Sequence, residues 1–407
     1  MAYFVTGATG FIGRRLIERL LGQRQGTVYV LVRETSLERL QDLIARWGAV
    51  VGDEAAKRVE PVVGDLRRPL LGVDQEHVFE LRGKIEHFFH LAAVYDMTAP
   101  AERNTAVNVG GTTHAVELAR AVDAEQLHHV SSIAVAGTYR GIFEESMFDE
   151  GQKLPSPYHR TKFESERIVR EQPYVPWRVY RPAIVVGDSR TGEMDKVDGP
   201  YYFFKAIQRL RQLLPEWTPL VGPDLGSTNV VPVDWVVGAL EHIAHEPGLD
   251  GKAFHLTDPR RQTVEEVINE FAVAAHAPRF ALSIDKRLTD PIPRWPFALA
   301  LDLPPWRQVR KLALRDLGIP EQVLAHMELV PRFDTLETGR ALAGTPLEQP
   351  PPLHDYAQKL WDYWEREMDP TLHKGRTLKE ALHGRTVLIT GASSGIGRST
   401  ALQVAAA

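Results

Sequence analysis

Apolar residues in the first 190 positions follow two alternating rhythms. Short runs rich in β-branched and aromatic residues occur at 3–6, 27–32, 60–63, 87–92, 128–131 and 178–180. Between them lie stretches with helical spacing. Over 11–21, Phe11, Ile12, Leu16, Ile17, Leu20 and Leu21 fall on or near one face, and over 37–47 Leu37, Leu40, Leu43, Ile44 and Trp47 do the same. Thr35 and Glu38 have the spacing of a capping box at the start of the second helix. Apolar strands alternating with amphipathic helices predict an α/β fold, a Rossmann-type doubly wound parallel sheet over residues 1–190.

Past residue 190 the rhythm loosens. Helices are predicted over 233–245, 263–275 and 354–367, the last preceded by a proline-rich stretch at 346–352. A smaller, mostly helical substrate region is expected over 191–368, with late elements added to the core sheet. A polar linker is expected at 369–384. The segment 385–407 then repeats the opening of the chain: Thr390-Gly391-Ala392-Ser393-Ser394-Gly395-Ile396-Gly397 echoes Thr6-Gly7-Ala8-Thr9-Gly10-Phe11-Ile12-Gly13. It reads as the first strand and turn of a second dinucleotide-binding domain. One such unit cannot bury its own apolar face, so loose docking or disorder is expected there.

Bulk properties narrow the chemistry. The 407 residues are 43% hydrophobic and 25% charged, ordinary for a globular protein, and the net charge of −5 gives no reason to expect a nucleic-acid partner. There is no cysteine, so disulfides, thiolate metal sites and an acyl group held on a cysteine are excluded, and no metal is expected. No basic region precedes an apolar core at the N-terminus, and no apolar run reaches the roughly 18–20 residues a membrane span needs. A cytoplasmic location is expected.

The glycine series at the end of the first run is the first chemical signal. Gly7, Thr9, Gly10, Phe11, Ile12 and Gly13 follow a strand and open a helix, the setting in which backbone N–H groups meet a pyrophosphate. A tight turn without ligand is the plain alternative. At the end of the second strand an NAD site usually carries an acid, but this chain has Val32-Arg33-Glu34. Arg33, with Arg39 and Arg14 as helpers, suits a 2′-phosphate and points to NADPH. Solvated surface arginines are the alternative for some of the three, and Glu34 keeps NAD open. Asp65 and Leu66 close the third strand where adenine is expected, and Leu91, Ala92 and Ala93 follow the fourth, where small residues let backbone pass close to a cofactor.

The second signal is Tyr158-His159-Arg160-Thr161-Lys162, preceded by Ser156 as N-cap and Pro157 as first helical residue. Tyr158 and Lys162 then share a helix face. The Lys162 ammonium is expected to lower the Tyr158 pKa and prime the phenol to protonate a carbonyl oxygen as hydride arrives. In Val130-Ser131-Ser132, Ser132 is favoured over Ser131 as the hydroxyl facing the oxyanion, because neighbouring strand residues point to opposite sides. Asn108 either holds a loop beside the cofactor or simply starts a helix. Pro182, after Arg181, is placed near the nicotinamide amide.

Further along, aromatic and apolar residues at 199–204 and 295–301 offer surface for an acyl chain, with ordinary core as the alternative. Arg307, Arg310, Lys311 and Arg315 form a basic stretch suited to CoA phosphates or peripheral contact with an anionic membrane, or to plain solvation.

Taken together, 6–13, 64–65, 90–93, 108–112, 130–137, 158–162 and 180–182 resemble the extended short-chain dehydrogenase/reductase family over about residues 1–260. A narrower resemblance rests on 90–97, 191–207, 229–236 and 361–366. These look like the N-terminal half of the bacterial two-domain fatty acyl-CoA reductases, and are similar to the male-sterility group and to the reductase domains of carboxylic acid reductases. The resemblance implies NADPH, a fatty acyl-CoA or fatty aldehyde as substrate, aldehyde or alcohol as product, a second reductase domain in the full-length protein, and Ser132, Tyr158 and Lys162 as the catalytic triad. It leaves open which reduction step this half carries out. The rival readings are a nucleotide-sugar epimerase or dehydratase, which Arg33 and the aromatic C-terminal region oppose, and a dinucleotide-sensing protein without turnover.

Overall fold

The computed structural model of the chain describes residues 2–93, 105–223, 225–284, 330–369 and 386–406. The six predicted runs form strands: β1 (Ala2–Thr6), β2 (Thr27–Val32), β3 (Val59–Val63), β4 (His87–His90), β5 (Gln126–Val130) and β6 (Trp177–Pro182). A seventh, β7 (Lys252–Leu256), comes from the region expected to be mostly helical with late elements added to the core sheet. All pair in parallel, in the order β7-β6-β5-β4-β1-β2-β3. The chain winds outward from β1 to β3, then crosses back to β4 on the other side of β1. The reversal opens a crevice at the carboxyl ends of β1 and β4, the place where a doubly wound sheet takes its ligand.

Helices cover both faces. The first face carries α1 (Phe11–Gln23), α2 (Leu37–Val51) and the later helix Val233–His245. Leu16, Ile17, Leu20, Leu40, Trp47, Val236 and Leu240 pack there on Val5, Val30 and Phe254. The second face carries α3 (Gly111–Ala121) and α4 (Pro157–Glu171), with Ala115, Leu118 and Val169 against Phe4, Phe88, Leu127 and Val179. α1 and α2 thus bury, wholly or in part, the stripes their spacing predicts.

One local expectation fails. No side chain caps α2, and Thr35 sits inside a one-turn 3-10 helix (Glu34–Ser36), so the Thr35–Glu38 box does not form. A full capping box stands instead at the helix Val264–Ala274, where Thr263 Oγ1 accepts from the Glu266 amide at 3.2 Å and Glu266 Oε2 accepts from the Thr263 amide at 2.7 Å. Residues 386–389 join no ladder among the described residues, where a strand has no neighbour to pair with. The turn after them does form. Gly391 has φ +69°, and a Cβ on Gly397 would fall 2.3 Å from the Gly391 carbonyl oxygen, against 2.2 Å for Gly13 and the Gly7 oxygen.

The C-terminal region has its own core, in which Tyr201, Phe204, Phe271, Tyr356, Trp361 and Trp364 pack together. Residues 330–342 return to the main sheet through buried Glu145. Its carboxylate accepts from the backbone N–H groups of His255 in β7 (2.7 Å), Glu337 (2.5 Å) and Thr338 (3.2 Å). No helix among the described residues is long and apolar enough to cross a membrane.

Candidate active site

The crevice begins at the turn after β1. Gly7 has φ +73°, and a Cβ there would lie 2.7 Å from the Ala92 amide nitrogen, so only glycine lets this turn press against the end of β4. Gly13 lies so close to the Gly7 carbonyl that any side chain would force the turn apart. Gly10 precedes α1, and no side chain caps the helix start. The turn at 7–13 therefore leaves uncapped helix N–H groups beside a path that side chains would block, which fits a dinucleotide pyrophosphate. Leu91 and Ala92 are half-buried and Ala93 is exposed along the same edge.

Arg33 directly follows β2 and is exposed, with no ion pair among the described residues. Arg39 is also exposed, and its Nη2 donates to the Thr9 carbonyl oxygen at 3.0 Å, which holds the guanidinium against the turn. Arg14 does not join them. It pairs with Glu193 at 3.2 Å and with Asp195, so its charge is committed to the loop after residue 188. Asp65 lies at the end of β3, where its carboxylate accepts from the backbone and side chain of Arg67. That side-chain hydrogen bond does most to bring its pKa down to about 2. The Leu66 carbonyl is bonded by His114 Nδ1 at 2.8 Å, and Leu66 packs on Gly111.

The catalytic candidates lie two strands away, on the second face. Ser156 caps α4 by accepting from the His159 amide at 3.4 Å, and Pro157 takes the first helical position. Tyr158 and Lys162 are both buried. Lys162 Nζ donates to the Val130 carbonyl oxygen at 3.1 Å, tying the helix to the end of β5. Ser132 accepts from the Ala134 amide at 3.2 Å and its side chain hydrogen-bonds Tyr158. Ser131 turns the other way and donates to Glu166 at 2.7 Å. Asn108 is buried in a π-turn (Thr105–Gly110) before α3, and its Nδ2 donates to Thr161 Oγ1 at 3.2 Å. Pro182, buried, ends β6.

The electrostatics differ from the expectation. Burial pushes the Tyr158 phenol up to about 12, outweighing the Ser132 hydrogen bond that favours the phenolate, and the Asp198 carboxylate adds to the rise. Lys162 is itself brought down to about 8 by burial, against the pull of Glu166. The expected lowering of the Tyr158 pKa by Lys162 is thus overturned, because desolvation acts on both groups and dominates. Tyr158 is a neutral acid at neutral pH, which is what a proton donor requires.

Sequence reasoning missed the support beneath these groups. Glu166 and Arg181 are buried together, with contacts from 2.6 to 3.1 Å, and Arg170 joins at 2.8 Å. Burial works against the Glu166 charge, yet the two arginines and Ser131 hold its carboxyl at about 2. Two expected substrate residues, Tyr201 and Phe204, belong to the C-terminal core instead, and the Tyr201 hydroxyl accepts from the Gly187 amide at 2.7 Å. The stretch 295–301 and Arg307, Arg310, Lys311 and Arg315 lie outside the described residues. No cluster fit to hold a metal occurs among the described residues.

Sheet order, glycine turn and the set of half-buried Ser132 with buried Tyr158 and Lys162 define an extended short-chain reductase architecture. The sequence pattern of the male sterility protein family matches residues 5–240, more than half of the chain. The chain belongs to this family, a thioester-reductase-like branch of the extended short-chain reductases with an NAD(P)-binding domain. It is 30% identical over 280 residues to a component of the linear gramicidin synthase of Brevibacillus parabrevis, covering 66% of this chain and 5% of that protein. It is 26% identical over 438 aligned residues to the glycine betaine reductase ATRR of Emericella nidulans, covering 98% of this chain and 32% of that protein. The chain thus spans less than two thirds of these relatives. Among solved structures, the terminal R domain of the myxalamid PKS-NRPS pathway superposes with a TM-score of 0.70 at 25% identity, covering 89% of this chain and 90% of that one.

Proposed function

We propose that this chain uses NADPH to reduce a long-chain acyl thioester of CoA, a fatty aldehyde, or both. The observation that carries the reading is the hydrogen bond between half-buried Ser132 and buried Tyr158, one helical turn from buried Lys162, at the carboxyl end of the sheet where the glycine turn also lies. Gly7, Gly10 and Gly13 would admit the pyrophosphate, with Thr9, Phe11 and Ile12 shaping the turn, and Arg33 and Arg39 would face a 2′-phosphate. When bound, the reduced nicotinamide supplies hydride. Tyr158 gives its proton to the carbonyl oxygen, Ser132 donates to that oxygen as charge builds, and the Lys162 ammonium stabilises the phenolate left behind. An aldehyde thus becomes the alcohol, whereas a thioester becomes a hemithioacetal whose C–S bond then breaks, the hydroxyl proton returning to Tyr158 or leaving with the sulfur, to release aldehyde and free thiol. Asn108 anchors the turn beside them.

A second reading has the acyl group arrive as a thioester on a thiolation domain. It is favoured by a relative that belongs to a gramicidin synthase and by structural neighbours that are reductase domains of such assemblies, one of them a thiolation-reductase di-domain. Under either reading, the turn at 390–397 marks the start of a second reductase unit in the full-length protein.

The test offers the purified chain NADPH or NADH with palmitoyl-CoA, a fatty aldehyde, an acylated thiolation domain and a UDP-sugar in turn, and follows nicotinamide absorbance. Oxidation of NADPH with an acyl thioester or aldehyde is expected, and Tyr158→Phe should cut turnover by roughly 100- to 10,000-fold while nucleotide binding persists. Turnover only with the UDP-sugar would sink the proposal in favour of an epimerase-type enzyme.

A further inference from the structure

Between the glycine turn and the catalytic helix lies a buried polar layer that the proposed chemistry does not use. His90, at the end of β4, is 2% exposed, with Nδ1 2.8 Å from Thr6 Oγ1 and Nε2 3.1 Å from Thr112 Oγ1. Thr6 Oγ1 also accepts from the Ala92 amide at 3.2 Å, and Ala92 is the residue against which Gly7 is pressed. Thr112 Oγ1 donates to the Asn108 carbonyl oxygen at 2.7 Å. Asn108 Nδ2 donates to Thr161 Oγ1, which donates in turn to the Tyr158 carbonyl oxygen at 3.1 Å.

Proton counting fixes the direction of this chain. A carbonyl only accepts, so the single hydroxyl proton of Thr112 is spent on Asn108. Thr112 Oγ1 must then accept from His90, which places the imidazole proton on Nε2. Nδ1 is left as an acceptor, and Thr6 donates to it. The Asn108 carbonyl also accepts from Ser165 at 2.9 Å, but the 2.7 Å approach of Thr112 Oγ1 to the same oxygen needs a proton between them, and the opposite tautomer would leave the Thr6 hydroxyl proton without an acceptor along this path. Burial, which brings the His90 pKa down to about 3, keeps the ring neutral.

We infer that His90 is a positioning residue: as the Nε2–H tautomer it couples the turn that receives the dinucleotide to Asn108 and the backbone of Tyr158. The inference rests on the proposed reductase reading for its effect on turnover, but not for the tautomer or for nucleotide affinity. A ring that lost either bond would leave the Thr6 hydroxyl proton or a Thr112 lone pair unmatched, while Thr6 kept only Ala92 and Thr112 only Asn108, and the turn and the helix would no longer be linked through residue 90.

The test starts from the unmodified chain. Nitrogen-15 NMR of labelled histidine should show His90 with its proton on Nε2 and no titration across neutral pH; a proton on Nδ1 would overturn the inference whatever the substrate proves to be. His90→Phe keeps the ring volume and removes both bonds. NADPH affinity by calorimetry and kcat should each fall on the order of tenfold. His90→Gln, which offers an acceptor and a donor, should restore most of both. If His90→Phe fails to fold, Thr112→Val cuts only the helix side and should lower kcat on the order of tenfold while NADPH affinity stays within about twofold. Folded His90→Phe protein that binds NADPH and turns over as the parent does would also overturn the proposal. So would a Gln variant no better than Phe.

Discussion

Lys162 and Glu166 stand one turn apart on α4, both buried and both ionisable, and their surroundings treat them in opposite ways. Glu166 accepts from Ser131, Arg170 and Arg181, and its carboxyl is held at about 2. Among the described residues Lys162 makes one hydrogen bond, to the Val130 carbonyl, and its ammonium is brought down to about 8. One charge is fully provided for within the fold. The other keeps donors to spare next to the phenol that is to give up a proton. The first arrangement stabilises the native state, and the second costs stability at the place where chemistry would draw on it.

The comparison is broken most directly at Glu166. Glu166→Gln leaves Arg181 buried without its counter-charge, and a loss of about 3–5 kcal/mol is expected from denaturant melts. A loss under about 1 kcal/mol would show that Arg181 finds other partners and that the contrast with Lys162 is false. Lys162→Met should do the reverse, abolishing turnover while raising stability by roughly 1–3 kcal/mol near neutral pH. Because the folded pKa of Lys162 lies below its usual 10.5, the native state binds fewer protons there than the unfolded chain, and the cost of burying the charge fades as pH rises from about 8 to 10.5. Melts of parent and Met variant should therefore converge over that window. The Glu166 carboxyl has the opposite signature: its stabilisation is complete above the usual 4.5 and is lost as pH falls through about 2, so acid melts of the Gln variant should be flatter than those of the parent. The smallest effect belongs to Arg33, an exposed cation with no built partner. Arg33→Ala should weaken NADPH about tenfold and leave NADH unchanged by calorimetry. Equal losses for both nucleotides would remove Arg33 from the 2′-phosphate.

Much of the fold was legible because strands β1 to β5 and helices α1 and α2 obey short-range periodicity. The start of α4 was legible too, since Ser156 and Pro157 announce it locally, and strand alternation separated Ser132 from Ser131. Late elements of the sheet were expected past residue 190, but the place of β7 escaped because Lys-Ala-Phe-His-Leu hides a buried edge strand behind two polar residues, of which His255 is buried against Arg181. His90, Glu166 and Arg181 escaped for a related reason. Each is a polar residue within an apolar layer, and its role comes from partners far along the chain, Thr6 and Thr112 for the first and each other for the second pair. Arg14 misled because proximity to the glycine turn in sequence said nothing of Glu193, reached only through the fold.

The anchorage of Glu145 bears on how this polypeptide can be divided. Its four oxygen-directed donors come from His255, Glu337 and Thr338, more than a hundred residues downstream. A fragment ending at residue 190 would lack β7 and strand an acidic side chain in the interior. The nucleotide half is therefore not a removable cassette: swapping it between relatives would require carrying 252–256 and 330–342 along with it.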